Sequence, residues 1–154
     1  MSEQPAERPA DTLNDVGVLK RREIEARIVA PLLERLATRF GDEVYEVARD
    51  VIVEVAQAQG AALAEHVGDT TLPAFAAGLG AWSADGALET EVRELSDDAF
   101  AFDVTRCRYA EMYRALGMVE LGATLSCDRD GSLIAGFNPN VRFTRTQTIM
   151  AGAD

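Results

Sequence analysis

Leu88-Glu89-Thr90-Glu91-Val92-Arg93-Glu94-Leu95, followed after Ser96-Asp97-Asp98 by Phe100-Ala101-Phe102-Asp103-Val104, is the stretch that decides the fold. Leu88, Thr90 and Val92 alternate with Glu89, Glu91 and Arg93, and Phe100, Phe102 and Val104 with Ala101 and Asp103. A period of two sends successive side chains to opposite faces of a strand. Two such runs around a short acidic turn predict an antiparallel hairpin. Upstream the period is helical. Ile24, Ile28, Leu32, Leu36 and Phe40 recur every four residues. Val44, Val47, Val51 and Val55, with Ile52 beside them, are expected to face inward on a second helix. Pro31 predicts a kink or two consecutive helices, Gly41 a stop and Asp42 an N-cap. Thr71-Leu72-Pro73 predicts a further helix start, running toward Trp82.

Beyond the hairpin, Arg106 to Leu116 returns to helical character and ends at Gly117, and Val119 to Thr124 reads as a short helical stretch. Asp130-Gly131 reads as a turn into Leu133–Phe137, and Asn138-Pro139-Asn140 as a second turn. Val141, Phe143 and Ile149 alternate with Arg142, Thr144 and Thr148, which predicts a final strand. The expected whole is a flexible tail over residues 1–14 and a single α+β domain over 15–154. Its N-terminal helices pack on an antiparallel sheet of about four strands.

A chain of 154 residues, 47% hydrophobic, is long enough to bury a core without disulfides or metal. Its net charge of −11 argues against nucleic acid, whose phosphates need a basic surface. The charge is uneven. Residues 1–100 hold 20 acidic and 9 basic side chains, and residues 101–154 hold 6 of each. The second part carries arginines suited to an anionic small molecule. No apolar run approaches the roughly 18 residues of a membrane span. Met1 to Asp11 lacks the apolar region of a secretory signal, so a cytoplasmic location and free thiols are expected.

Both cysteines fall in this second part. Cys107 lies near a helix start between Arg106 and Arg108, which predicts a lowered pKa and a nucleophilic thiol; the alternative is a small buried core residue. Glu111, four residues on, shares its helix face. Cys127 is followed by Asp128, a candidate general base or acceptor for an amino or amidine group. Cys107 and Cys127 would serve a zinc or other metal ion as two soft ligands, short of the three or four a zinc site takes. His66, the only histidine, reads as a surface residue. Arg142 or Arg145 is a natural fork for a carboxylate, with Asn138, Thr144 and Gln147 as neighbouring polar groups; the alternative is an exposed edge strand with ordinary turn asparagines. Tyr109 and Tyr113 read as core.

The run Phe102-Asp103-Val104-Thr105-Arg106-Cys107-Arg108-Tyr109-Ala110-Glu111-Met112-Tyr113, with Leu125-Ser126-Cys127-Asp128-Arg129-Asp130, Gly136-Phe137-Asn138-Pro139 and Thr144-Arg145-Thr146-Gln147-Thr148-Ile149-Met150, resembles the L-2-amino-thiazoline-4-carboxylate hydrolase family. The resemblance extends over roughly residues 17 to 152. It implies ring-opening hydrolysis of a small cyclic amidine-like carboxylate to an N-carbamoyl amino acid. On that reading Cys107, or a water activated by Asp128 or Glu111, attacks the ring carbon between nitrogen and sulfur, while Arg145 or Arg142 holds the carboxylate. Family members are expected to continue past the segment matching Ala151 to Asp154 into a His-Cys-Asp-Phe sequence, which a complete site would then use. The non-catalytic alternative is a small-ligand or metal-binding module built on Cys107 and Cys127. A subunit whose acidic helical part packs on a partner is a third reading, and a homo-oligomer is a further expectation.

Overall fold

The computed structural model describes residues 15–153, so the expected tail over 1–14 lies outside the described residues. Two long helices come first, α1 (Val18–Phe40) and α2 (Glu43–Val67). Gly41, at φ 90°, ends α1, and Asp42 occupies the N-cap of α2 without a side-chain cap bond. α1 runs unbroken through Pro31. The carbonyl that proline cannot meet belongs to Arg27, an exposed residue, so the lost hydrogen bond falls on the solvent side of the helix. Thr71 caps α3 (Leu72–Gly78) as its sequence predicts, its Oγ1 accepting from the Ala74 N–H at 3.4 Å. The short α4 (Gly80–Ser83) follows.

The hairpin is β1 (Leu88–Leu95) and β2 (Phe100–Cys107), antiparallel, with Leu88 opposite Cys107 and Leu95 opposite Phe100. Its register slips at Glu89/Thr90 and Val92/Glu94. Among the described residues it is the whole sheet, which corrects the expectation of about four strands. The chain continues as α5 (Arg108–Ala115), α6 (Val119–Gly122), a π-turn over Ala123–Cys127 and α7 (Asp128–Phe137).

The two missing strands fail for separate reasons. Leu133, Ile134 and Phe137 recur at helical spacing, and Asp128 and Asp130 place acid in the first turn of α7, where the helix dipole favours it. Gly131 and Gly136 read as breakers but are contact points. Gly131 faces the Phe143 ring. A Cβ on Gly136 would overlap the Gln57 carbonyl of α2, and one on Gly60 would overlap the Leu133 carbonyl and Phe137 nitrogen of α7. Each helix therefore needs the other's glycine. Residues 141–149 alternate like a strand but meet no ladder; the segment is held by single anchors. Arg114 donates to the Ile149 carbonyl, Arg145 reaches the start of α7, and Met150 is buried in the core.

That core gathers Ala26, Ala87, Tyr109, Ala110, Tyr113, Leu125 and Met150, with Ile52, Cys107 and Cys127 packed against it. Tyr109 and Tyr113 are core residues, as expected. The inward expectation for Val47, Val51 and Val55 is overturned: all three are exposed, as are Ile24, Ile28 and Leu32 of α1. The buried positions are instead Arg22, Ala26, Ala30 and Leu33 of α1 and Ala56 and Gly60 of α2, most of them small. Close backbone approach to the core requires the small ones there. The helical period was correct, and its inward side was not.

A reciprocal glycine contact tolerates no added methyl. Gly60→Ala and Gly136→Ala are each expected to destabilise the fold by about 1–3 kcal/mol or more through overpacking. Gly131→Ala, which meets only a movable ring at 3.2 Å, should cost much less. Chemical denaturation of the three variants checks this order.

Candidate active site

Cys107 closes β2 and caps α5, its Sγ accepting from the Ala110 N–H at 3.4 Å. Cys127 ends the π-turn, one residue before α7. Both thiols border the same core cluster, and Cys127 lies within the electrostatic reach of Cys107. The expected lowering of the Cys107 pKa is overturned. Burial pushes it up, more strongly than the amide donors of Ala110 and Tyr109 pull it down. The neighbouring arginines are otherwise engaged. Arg106 binds Glu111 at 2.9 Å and Glu89 at 3.4 Å, and Arg108 donates to the Asp85 carbonyl at 3.1 Å. Burial likewise raises Cys127, to about 11. Both thiols are therefore protonated at neutral pH.

Asp130 is the group the sequence reading passed over. Burial raises its carboxyl from 3.8 to about 6, against the pull of Arg145, Arg129 and Arg22. Its field raises both thiols. Arg145 donates to Asp130 Oδ2 at 2.9 Å and, through both terminal nitrogens, to the Cys127 carbonyl at 3.2 Å. Its guanidinium also lies 5.5 Å from the Phe143 ring centre. This fork fastens residues 143–145 over the start of α7 and places a cation beside a carboxylate. The signal in the sequence was the second acid of Cys127-Asp128-Arg129-Asp130. Two positions apart along a helix start, Asp128 pairs with Arg49 and Asp130 with Arg145.

Beneath lies a second polar layer, also unforeseen. Arg22 and Arg129 are both more than nine-tenths buried. Arg22 donates to Glu25 at 2.6 Å, and Arg129 donates to Gln59 at 2.7 Å and sits 3.9 Å from Glu25. Burial and the nearby Arg22 lower the Arg129 pKa to about 10. The Tyr113 hydroxyl is buried without a partner among the described residues.

The remaining candidates are dispersed. Asp128 is exposed and pairs with Arg49 at 3.8 Å. Glu111 is exposed and held below its usual pKa by the Arg106 hydrogen bond. Asn138 donates to the Thr70 carbonyl and accepts from the Asn140 amide, both at 2.9 Å, and so braces its turn. Arg142, Thr144 and Gln147 are exposed on the C-terminal segment. A cavity of about 500 Å³ opens between the start of α1 and α5, lined by Lys20, Glu23, Asp85, Arg108, Glu111 and Met112 among others. Neither thiol lines it.

For a metal ion the donor set does not fit. Among the described residues no group of three His, Cys, Asp or Glu side chains gathers to hold one. A zinc site takes deprotonated sulfur and at least three protein ligands.

What remains is a small α+β protein with thiols, one raised carboxylate and a guanidinium meeting under its C-terminal segment. Perturbed groups that converge in this way make the region a candidate small-molecule site. The chain belongs to the L-2-amino-thiazoline-4-carboxylic acid hydrolase family, whose family model matches residues 21–154. No curated protein and no solved structure matches it. Among the described residues no helix is long and apolar enough to cross a membrane.

The raised Asp130 pKa has a definite sign. The folded state holds this proton more tightly than the unfolded chain, so the Asp130 contribution to stability falls as pH rises from about 4 to about 6 and is level above. The stability difference between wild type and Asp130→Asn should carry that slope. Arg145→Gln removes the cation that opposes the shift and should move the Asp130 titration to higher pH, as read by carboxyl-carbon NMR. A titration near pH 4 in the wild type contradicts the burial account.

Proposed function

We propose that this chain hydrolyses a small heterocyclic carboxylate, 2-amino-thiazoline-4-carboxylate or a related cyclic amidine, with Asp130 as the proton-transferring group. The observation that carries the reading is a carboxylate titrating near 6 beside two protonated thiols and Arg145, in a chain of this hydrolase family. Asp130 takes a proton from water as its oxygen bonds to the ring carbon between nitrogen and sulfur. The ring carbon–sulfur bond then breaks, and Asp130 returns the proton to the departing sulfur. The product is an N-carbamoyl amino acid bearing a thiol. One water proton reaches sulfur through Asp130 and the other passes from the new hydroxyl to the ring nitrogen as the carbonyl forms, so the residue ends as it began. A group with a pKa near 6 is suited to both transfers at neutral pH.

Arg145 keeps Asp130 ionised in this scheme. Arg142, three residues earlier and without an ion pair among the described residues, is the guanidinium left to hold the substrate carboxylate. Thr144 and Gln147 lie on the same segment as polar contacts for the ring substituents. Cys107 and Cys127 supply the weakly polar wall rather than a thiolate, because burial opposes the charge a nucleophile requires.

Ring opening of thiazoline, hydantoin and related cyclic carboxylates, followed by appearance of free thiol or by mass spectrometry, tests the reading. Asp130→Asn should lose about 10²–10⁴-fold in kcat, the span of general acid–base catalysis. Arg142→Ala should act mainly through KM. Cys107→Ala should retain most activity. Full activity in Asp130→Asn with none in a folded Cys107→Ala reverses the assignment in favour of a thiol nucleophile.

A further inference from the structure

The outward apolar stripes of α1 and α2 have no counterpart in the chain's own core. Ile24, Ile28 and Leu32 on α1 and Val47, Val51 and Val55 on α2 are each 42–64% exposed. Four-residue spacing keeps each trio on one helix face. The trios belong to one surface. Leu36 continues the α1 stripe, Val47 belongs to the α2 stripe, and both line the same groove of about 210 Å³ with Leu33, Val44 and Ala48. Arg129 reaches both Glu25 and Gln59, which stand about equally far from the Gly41-Asp42 connection. α2 therefore runs back along α1, and the stripes lie side by side.

Charge follows the stripes in two rows of opposite sign. One position before Ile28, Leu36 and Phe40, α1 carries Arg27, Arg35 and Arg39, with Glu23 and Pro31 before Ile24 and Leu32, whereas α2 carries Glu46, Asp50 and Glu54 before Val47, Val51 and Val55. The one-position offset rotates each row about 100° from its stripe, away from the partner helix of the same chain. Across the helices, α1 holds six basic and three acidic side chains, and α2 holds five acidic and one basic. Arg35, Arg39, Glu46, Asp50 and Glu54 make no ion pair among the described residues.

We infer that this face is covered by a second copy of the same chain, in a two-fold pair whose axis runs along the helices. That axis lays α1 of one copy over α2 of the other, so the basic row of each α1 meets the acidic row of the opposite α2 and the valine stripe packs on the isoleucine–leucine stripe. The other face-to-face choice, α1 on α1, sets like rows together and is disfavoured. Six large apolar side chains left 42–64% exposed on one face make a patch at the upper end of the roughly 300–600 Å² of a usual monomer, of the kind that a standard interface of about 800 Å² per partner covers. The sequence ahead of the described residues offers little to cover it, since Met1 and Leu13 are its only large apolar residues.

Light scattering and sedimentation of the full chain are expected to give twice the chain mass at micromolar concentration. Val51→Glu should halve that mass while leaving the helical circular dichroism unchanged. Because a single charge insertion also risks misfolding, complementary reversal supplies a second test. Arg35→Glu with Arg39→Glu, and separately Glu46→Arg with Asp50→Arg, should each give monomers, and mixing the two should restore a dimer containing one of each. A monomeric wild type, or folded reversal variants that do not pair on mixing, overturns the proposal.

Discussion

The backbone-to-backbone approach of α2 and α7 governs much of the molecule. Gly60 and Gly136 each stand where a Cβ would overlap the other helix's backbone, so the two helices meet closer than any side chain permits. α7 is thereby fixed at its C-terminal half, and its first turn, with Asp130, is set against the thiols. The preceding π-turn over Ala123–Cys127 accommodates the entry into that position. Such single-turn π segments occur frequently at functional sites, and here one delivers Cys127 and directs the next turn inward.

At the site, desolvation outweighs local sequence. Cys107 has a helix start and two adjacent arginines, the ordinary means of stabilising a thiolate, yet its pKa rises. The arginines are spent on Glu89, Glu111 and the Asp85 carbonyl, and the sulfur faces the core. The same burial acts on Asp130 with a useful consequence, since a carboxylate held near 6 exchanges protons at neutral pH where an ordinary aspartate does not. Arg145 moderates the shift and simultaneously closes the C-terminal segment over the centre.

The helix period of residues 18–67 was legible because apolar spacing is local, and the hairpin was legible because alternation is local too. Which face of α1 and α2 goes inward was not, since large apolar stripes and small alanine–glycine stripes compete and the core selects the small ones. Gly131 and Gly136 looked like turns in α7 because a glycine needed for close contact and a glycine needed for a bend are the same letter. For residues 141–149 the alternation was real, but a strand also needs a neighbour, and none is supplied. Of the candidate site, Cys107, Cys127 and Arg145 are legible from residue type; Asp130 is not told apart from Asp128, because only packing brings Arg145 to one acid and Arg49 to the other.

The sequence by itself determined the family, the helical and hairpin elements, the core tyrosines and the region that carries the polar chemistry, all of which are written in local spacing and residue type. The tertiary structure decided which acid faces the thiols, which arginine reaches it, the protonation of both cysteines and the outward direction of the valine and isoleucine stripes. Those outcomes depend on desolvation and on contacts between segments far apart in the chain, quantities that no window of neighbouring residues contains.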